Sequence, residues 1–346
     1  MAQVGPGNSI ILTIQNLPVG TNAVVLSVAA TQLQGAPETF ESACPAAQAL
    51  GSCLGTSVLN VRAGVDIANE INIPVGVDGQ VRLYNSAGSV DLIADLIGYL
   101  SAGYRAAGPT RILDTRTGLG VQPGKVGPGA WVIIAVPNMS ADTKAVVLNL
   151  TATQLQGATT SFVSACPLAQ PLATCISAAA LNVQGGVSIA NEIIVPVAAD
   201  GRVRVYNDIG SVDIAADLSG YLSAGYVPTG PTRVLDTRTG IGAPQTQVGP
   251  DGSLILTIPN LPVGTNAVVL NLTGTQLQGA TATTESACPA AQPLVSCLAA
   301  SVLDVPAGAS IANEITVPVA ADGRVRLHNN AGSLDLIADL VGYYGN

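Results

Sequence analysis

Charge is what this sequence has least of. Only 10% of its 346 residues are Asp, Glu, Lys or Arg, against ~25% in an ordinary soluble protein. Acidic residues outnumber basic ones by 22 to 13, and the lysines are Lys125 and Lys144 alone. With no basic run there is no electrostatic footprint for nucleic acid or an anionic membrane, and both are excluded as partners. Histidine occurs once, as His328, and tryptophan once, as Trp131. A single His permits at most one nucleophile–His–acid arrangement, and a single Trp argues against a repeated aromatic platform for sugar rings. No apolar run reaches the ~18 residues of a membrane-spanning helix, because Asp, Asn, Thr or Gly interrupts each one. The opening "MAQVGPGNSIILTIQNL" has neither a basic segment nor a cleavage site, so no signal peptide is visible. Sustained helical periodicity is missing throughout.

What is present is repetition. Cys44, Cys166 and Cys288 are 122 residues apart, as are Cys53, Cys175 and Cys297. The same step links Asn69, Asn191 and Asn313 in "IANE", and Asp91, Asp213 and Asp335 in "SVDLIAD", "SVDIAAD" and "SLDLIAD". A period of this length is a small domain rather than a solenoid unit. The divisions expected are 1–108, 109–230 and 231–346. Inside each unit the signals are β: alternating runs such as "SLILTIPN", short β-branched runs such as "NEITVPV", and Gly, Pro and Asn between them. Asp78-Gly79, Asp200-Gly201 and Asp322-Gly323 read as hairpin turns within a three-stranded meander. The expected fold is therefore all-β, three tandem antiparallel β-sandwich domains of jelly-roll or immunoglobulin-like topology.

Each unit holds one cysteine pair: Cys44 with Cys53, Cys166 with Cys175, Cys288 with Cys297. Eight intervening residues match no zinc pattern and the one histidine cannot complete a ligand set, so three local disulfides are expected and no metal. Closing so short a loop contributes ~2–3 kcal/mol. Locally paired cysteines belong to an oxidising, extracellular or cell-surface setting.

"PTRILDTRTG", followed by "VPVAADGRVRVYN" and closing on "GSVDIAADLSGYL", resembles a repeat of exported actinobacterial and related proteins that sits beside cell-wall amidases and other surface modules. The likeness spans essentially the whole chain. It implies export and a β-rich, non-catalytic module, but no particular ligand. The cysteine loop lies outside the family pattern.

The motif "DTRTG" occurs twice, carrying Arg111, Asp114 and Arg116 and then Arg233, Asp236 and Arg238. These six are the candidate interaction residues, for a sugar or a neighbouring subunit. The structural alternative is an ion pair or turn cap beside Leu113, which anchors the strand. In strict alternation Arg111, Leu113 and Thr115 share one face, while Ile112, Asp114 and Arg116 share the other. The carboxylate pairs Asp91 with Asp95, Asp213 with Asp217 and Asp335 with Asp339 lie ~13 Å apart along one strand face. That is too far for one shared site, and partnership with arginines or turn amides is the simpler expectation. His328 stands where Tyr84 and Tyr206 stand in the other units, which favours a strand role. No catalytic residue and no cofactor are expected.

Two function classes follow. One is a non-enzymatic extracellular structural protein, self-assembling head to tail into a fibre, layer or stalk. The other is an adhesin binding cell-wall or extracellular polysaccharide. Low charge favours the first, since surfaces of Thr, Ser, Asn, Gln and Ala repel one another little. Met1 aligns with Pro123, so the first unit lacks the fourteen residues matching Pro109–Gln122. One terminal unit is therefore expected to expose an unpaired edge.

Overall fold

The computed structural model describes residues 3–298, 300–320 and 322–345. Its strands follow the 122-residue step. Repeat 1 holds β1 (Asn8–Thr13), β2 (Ala23–Gln34), β3 (Glu38–Pro45), β4 (Leu59–Arg62), β5 (Ile67–Pro74), β6 (Gln80–Asn85) and β7 (Ser89–Leu100). Repeat 2 holds β8 (Tyr104–Asp114), β9 (Trp131–Ala135), β10 (Ala145–Gln156), β11 (Thr160–Pro167), β12 (Leu181–Gln184), β13 (Ile189–Pro196), β14 (Arg202–Asn207) and β15 (Ser211–Leu222). Repeat 3 holds β16 (Tyr226–Asp236), β17 (Gly252–Thr257), β18 (Thr265–Gln278), β19 (Ala282–Pro289), β20 (Leu303–Pro306), β21 (Ile311–Pro318), β22 (Arg324–Asn329) and β23 (Ser333–Gly345). One-turn helices α1 (Leu50–Cys53), α2 (Leu172–Cys175) and α3 (Leu294–Cys297) each end on a cysteine.

The chain is all-β, but three tandem β-sandwich domains are not what forms. The strands make six small blade-like sheets, five of four strands and one of three. They divide into two compact units, Met1–Ala224 and Gly225–Asn346, rather than three. Sequence periodicity counts copies, whereas the compact unit depends on how many side chains the copies share. Repeats 1 and 2 share several, described below.

Within a repeat the sheets are built from distant strands. In repeat 3 the orders are β16-β23-β18-β21 and β17-β22-β19-β20, and repeat 2 follows the same scheme. Repeat 1 has β1-β6-β3-β4 and only three strands, β5-β2-β7, in the other sheet. The central strands β2, β10 and β18 have near-continuous apolar starts because both faces are covered. Leu26, Leu148 and Leu270 are accordingly buried in the three core clusters.

The expected Asp-Gly hairpins are a second correction. Gly79, Gly201 and Gly323 do have φ of 64°, 63° and 62°, as the turn demands. The strands they join, β5 and β6 in repeat 1, lie in different sheets. The Gly79 carbonyl accepts from the amide of Ile14 at 2.9 Å, and a Cβ on Gly79 would lie 2.7 Å from Leu17 Cδ1. The turn is therefore held against the chain leaving β1. Local chemistry sets the bend, but burial chooses the pairing.

Candidate functional site

The "DTRTG" segments end β8 and β16. β8 pairs antiparallel with β15, and β16 with β23, so each segment completes the repeat that follows it. The register slips between Ala216 and Asp217 and again between Asp339 and Ala338, around Ile112 and Val234 respectively. This bulge breaks strict alternation and brings Arg111 to the same side as Asp114.

Arg111 reaches across the strand pair to Asp217, with Nε donating to Oδ1 at 2.5 Å and Nη2 to Oδ2 at 3.1 Å. Its Nη1 donates to Asp114 Oδ2 at 3.0 Å. Asp114 also accepts from Arg116 Nε and backbone N, at 2.9 and 3.0 Å. Repeat 3 reproduces the network: Arg233 donates to Asp339 at 2.7 Å and to Asp236 at 3.0 Å, and Arg238 Nε donates to Asp236 at 2.9 Å. Hydrogen bonding from Arg116 holds the Asp114 carboxyl down at about 2, and Arg238 lowers Asp236 in the same way. Burial raises Asp217 and Asp339 despite their arginines. Where these four carboxylates lie, desolvation and pairing compete, and only the turn position, on which two arginines converge, is won by pairing.

The neighbouring position is a hydroxyl. Thr115 Oγ1 donates to Asp213 at 3.0 Å and accepts from the Ile214 amide at 3.0 Å; Thr237 does the same with Asp335 and Leu336. The turn closes with the Gly118 amide donating to the Asp114 carbonyl at 3.0 Å. Gly120 sits at φ 70°, where a Cβ would lie 2.4 Å from the Ile112 carbonyl oxygen. Leu113 and Leu235 are completely buried. All six candidate interaction residues thus lie together, three per repeat, and their charges point at one another.

Other recurring polar residues also turn inward. Asn69, Asn191 and Asn313 each donate to a backbone carbonyl, of Val58, Ala180 and Val302. Arg82, Arg204 and Arg326 clamp the cysteine loops through paired bonds to the carbonyls of Ala46 and Gln48, Leu168 and Gln170, and Ala290 and Gln292. Sequence reasoning overlooked these arginines, although their 122-residue spacing was there to be read. The three disulfides form as expected, Cys44–Cys53, Cys166–Cys175 and Cys288–Cys297. They fit an oxidising, extracellular environment.

His328 lies on β22 opposite Ser253 on β17. Ser253 Oγ and His328 Nδ1 are 3.0 Å apart, and Asp251 Oδ1 is 3.7 Å from Nε2 with its side chain 87% exposed. Ser253 and His328 are thus a cross-strand pair with a solvated carboxylate at one end. Among the described residues no group of three His, Cys, Asp or Glu could hold a metal. No described helix is long and apolar enough to cross a membrane.

Within the first compact unit, repeats 1 and 2 are joined by buried polar contacts. Glu192 Oε1 accepts from the Asn72 amide and side chain at 2.5 and 2.7 Å, and Oε2 from Ser219 at 2.9 Å. Asn149 Nδ2 donates to the Ser57 carbonyl at 2.7 Å and Arg111 Nη2 to that of Gly55 at 2.5 Å. Arg62 also meets the carbonyl of Gly186. A cavity of about 300 Å³ lies nearby, lined by Glu38, Phe40, Asn60, Arg62 and Val187 among others.

No protein-family model matches the chain, and no curated protein does. Among solved structures, a structure of Sulfolobus Turreted Icosahedral Virus aligns at 11% identity and TM-score 0.24, over 99% of this chain and 86% of that one. An archaeal virus structure described by a triple jelly roll fold and turret assembly aligns at 10% and 0.24, over 99% and 85%. The tandem CBM22-1–CBM22-2 domain of Paenibacillus barcinonensis Xyn10C aligns at 9% and 0.20, over 70% and 100%. Scores this low do not establish a shared fold.

Proposed function

We propose that this is a non-enzymatic extracellular structural protein that assembles through repeat 1. The observation that carries the reading is a difference between near-identical strands. β15 and β23 are buried along almost their whole length, whereas β7, with nearly the same sequence, is not. Ile93, Leu96 and Tyr99 are 50%, 42% and 40% exposed, while their equivalents Ala215, Leu218 and Tyr221 are 3%, 2% and 3% exposed. Exposed apolar side chains along an unpaired strand edge are a template for association. Most of the recurring charged and amide side chains, by contrast, are engaged with neighbouring carboxylates or backbone carbonyls, which supports a structural over a catalytic role.

Negative-stain imaging and light scattering of the purified chain test this. Assemblies are expected, and Ile93→Lys with Leu96→Lys should disperse them by placing charge on the edge. A wild-type chain that stays monomeric, or assemblies indifferent to both lysines, would refute the reading. Retention of monomers on immobilised polysaccharide would favour an adhesin instead.

A further inference from the structure

β7 has β2 on one side and, among the described residues, no strand on the other. The same flank of β15 is covered by β8, and that of β23 by β16. Repeat 1 therefore contains an acceptor whose occupant can be deduced from two filled copies within the same chain.

Three features of the occupant are fixed by those copies. First, a tyrosine opens the added strand and lies on a glycine of the acceptor. A Cβ on Gly220 would fall 2.5 Å from the Tyr104 ring, and one on Gly342 would fall 2.3 Å from the Tyr226 hydroxyl. Both tyrosines are buried. The equivalent Gly98 has nothing within 4 Å of its Cβ position, so the cradle is present and empty. Second, an arginine seven residues after the tyrosine grips the acceptor aspartate, Arg111 on Asp217 and Arg233 on Asp339. Asp95 is the equivalent carboxylate and has no cation partner among the described residues, while burial alone raises its pKa. Third, a leucine two residues beyond the arginine enters the core, and a threonine two beyond that bonds the second aspartate. In repeat 1 that aspartate is Asp91, which among the described residues receives only the weak 3.4 Å contact from Gln3.

We propose that the β7 edge is a strand-acceptor site for an extended Tyr-x6-Arg-[Ile/Val]-Leu-Asp-Thr segment supplied from outside the described residues. Its tyrosine seats on Gly98, its arginine pairs with Asp95, and its threonine with Asp91. Main-chain ladder bonds supply affinity and the alternate side chains supply specificity, as in other strand-addition sites. The proposal rests on the assembly reading above and deepens it by naming what the edge takes.

The test uses the full chain and a synthetic peptide, YRAAGPTRILDTRTGLG, which copies Tyr104–Gly120. Calorimetry should show one peptide bound per chain, and hydrogen exchange should show new protection in the β7 amides. Gly98→Val is the decisive variant, because its side chain enters open space in the free protein but collides with the incoming tyrosine. It should keep the melting temperature and weaken binding at least about tenfold. Asp95→Ala should weaken it similarly, as should replacing the peptide's tyrosine or its second arginine by alanine. Absence of binding, more than one peptide per chain, or equal binding to Gly98→Val would overturn the proposal. The two readings fail separately. A monomeric chain that binds the peptide refutes assembly and sustains the acceptor, while assemblies that ignore both peptide and Gly98→Val do the reverse.

Discussion

At position 163 the second repeat carries valine, where the first and third carry Glu41 and Glu285. All three side chains are buried, and neither glutamate has a hydrogen-bond partner for either oxygen among the described residues. Burial alone pushes Glu41 up to about 8 and Glu285 to about 9. Glu192 is pushed to about 7 by burial, against the pull of Asn72 and Ser219. Each carboxyl keeps its proton in the folded chain after the unfolded chain has released it. Their stabilising contribution is thus complete below about pH 4.5 and is lost as pH rises towards 9. Asp114 acts oppositely, contributing above its ordinary value near 4 and losing that contribution as pH falls through about 2. Stability should therefore peak between about pH 4 and 5, and urea denaturation at pH 5 and pH 8.5 should show the fall. Replacing Glu41 and Glu285 by valine should raise stability at pH 8.5 by several kcal/mol, on the order of the cost of a buried unpaired carboxyl, and flatten most of the slope. An unchanged slope in that double variant would show that the glutamates reach water. None of this was legible in "FESAC" and "TESAC", because a lone Glu beside Ser reads as an exposed strand face until the opposite sheet is known.

Among the elements, the cysteine loops were the most readable, since short spacing with no second ligand type leaves little besides a disulfide. Each bridge ties a one-turn helix to a strand, Cys175 of α2 to Cys166 of β11 for instance. Helices that short are not stable by themselves, so the bridge and the arginine clamp share the task of ordering the loop. Replacing Cys166 and Cys175 together by alanine should cost about 2–3 kcal/mol by loop closure, measured as a lower urea midpoint. A much smaller loss would mean that Arg204, which holds the carbonyls of Leu168 and Gln170, already orders the loop alone. The "DTRTG" strands were half readable. Leu113 as an anchor and a turn at Gly118 follow from alternation and glycine. The Arg111–Asp114 contact does not, because a bulge shifts the face of every residue before it and leaves no mark in the period.

For the whole molecule, the sequence revealed how many copies there are but not how they combine. Strand content and boundaries follow from local pattern, whereas pairing β16 with β23 joins residues more than 100 apart and is decided by burial that no local run encodes. The division into two compact units has the same origin. Asn72, Glu192 and Ser219 meet inside unit 1, and each of them, read in its own strand, looks like an ordinary polar position. The open edge was the exception, because counting two "DTRTG" segments against three repeats predicts a sheet one strand short, and β5-β2-β7 is that sheet. The filled copies also give the spacing needed to close it. Met1 aligns with Pro123, so the segment Tyr104–Gln122 fused directly ahead of Met1 would place its tyrosine, arginine and leucine opposite Gly98, Asp95 and the repeat 1 core. Burying one leucine and one tyrosine in this way should raise the stability of unit 1 by about 2–4 kcal/mol. The fusion should also abolish binding of the free peptide and suppress assembly, while the same fusion with its Arg111 equivalent changed to alanine should do so less well. A fusion that neither stabilises the chain nor blocks the peptide would mean that the edge of repeat 1 differs from the two it resembles.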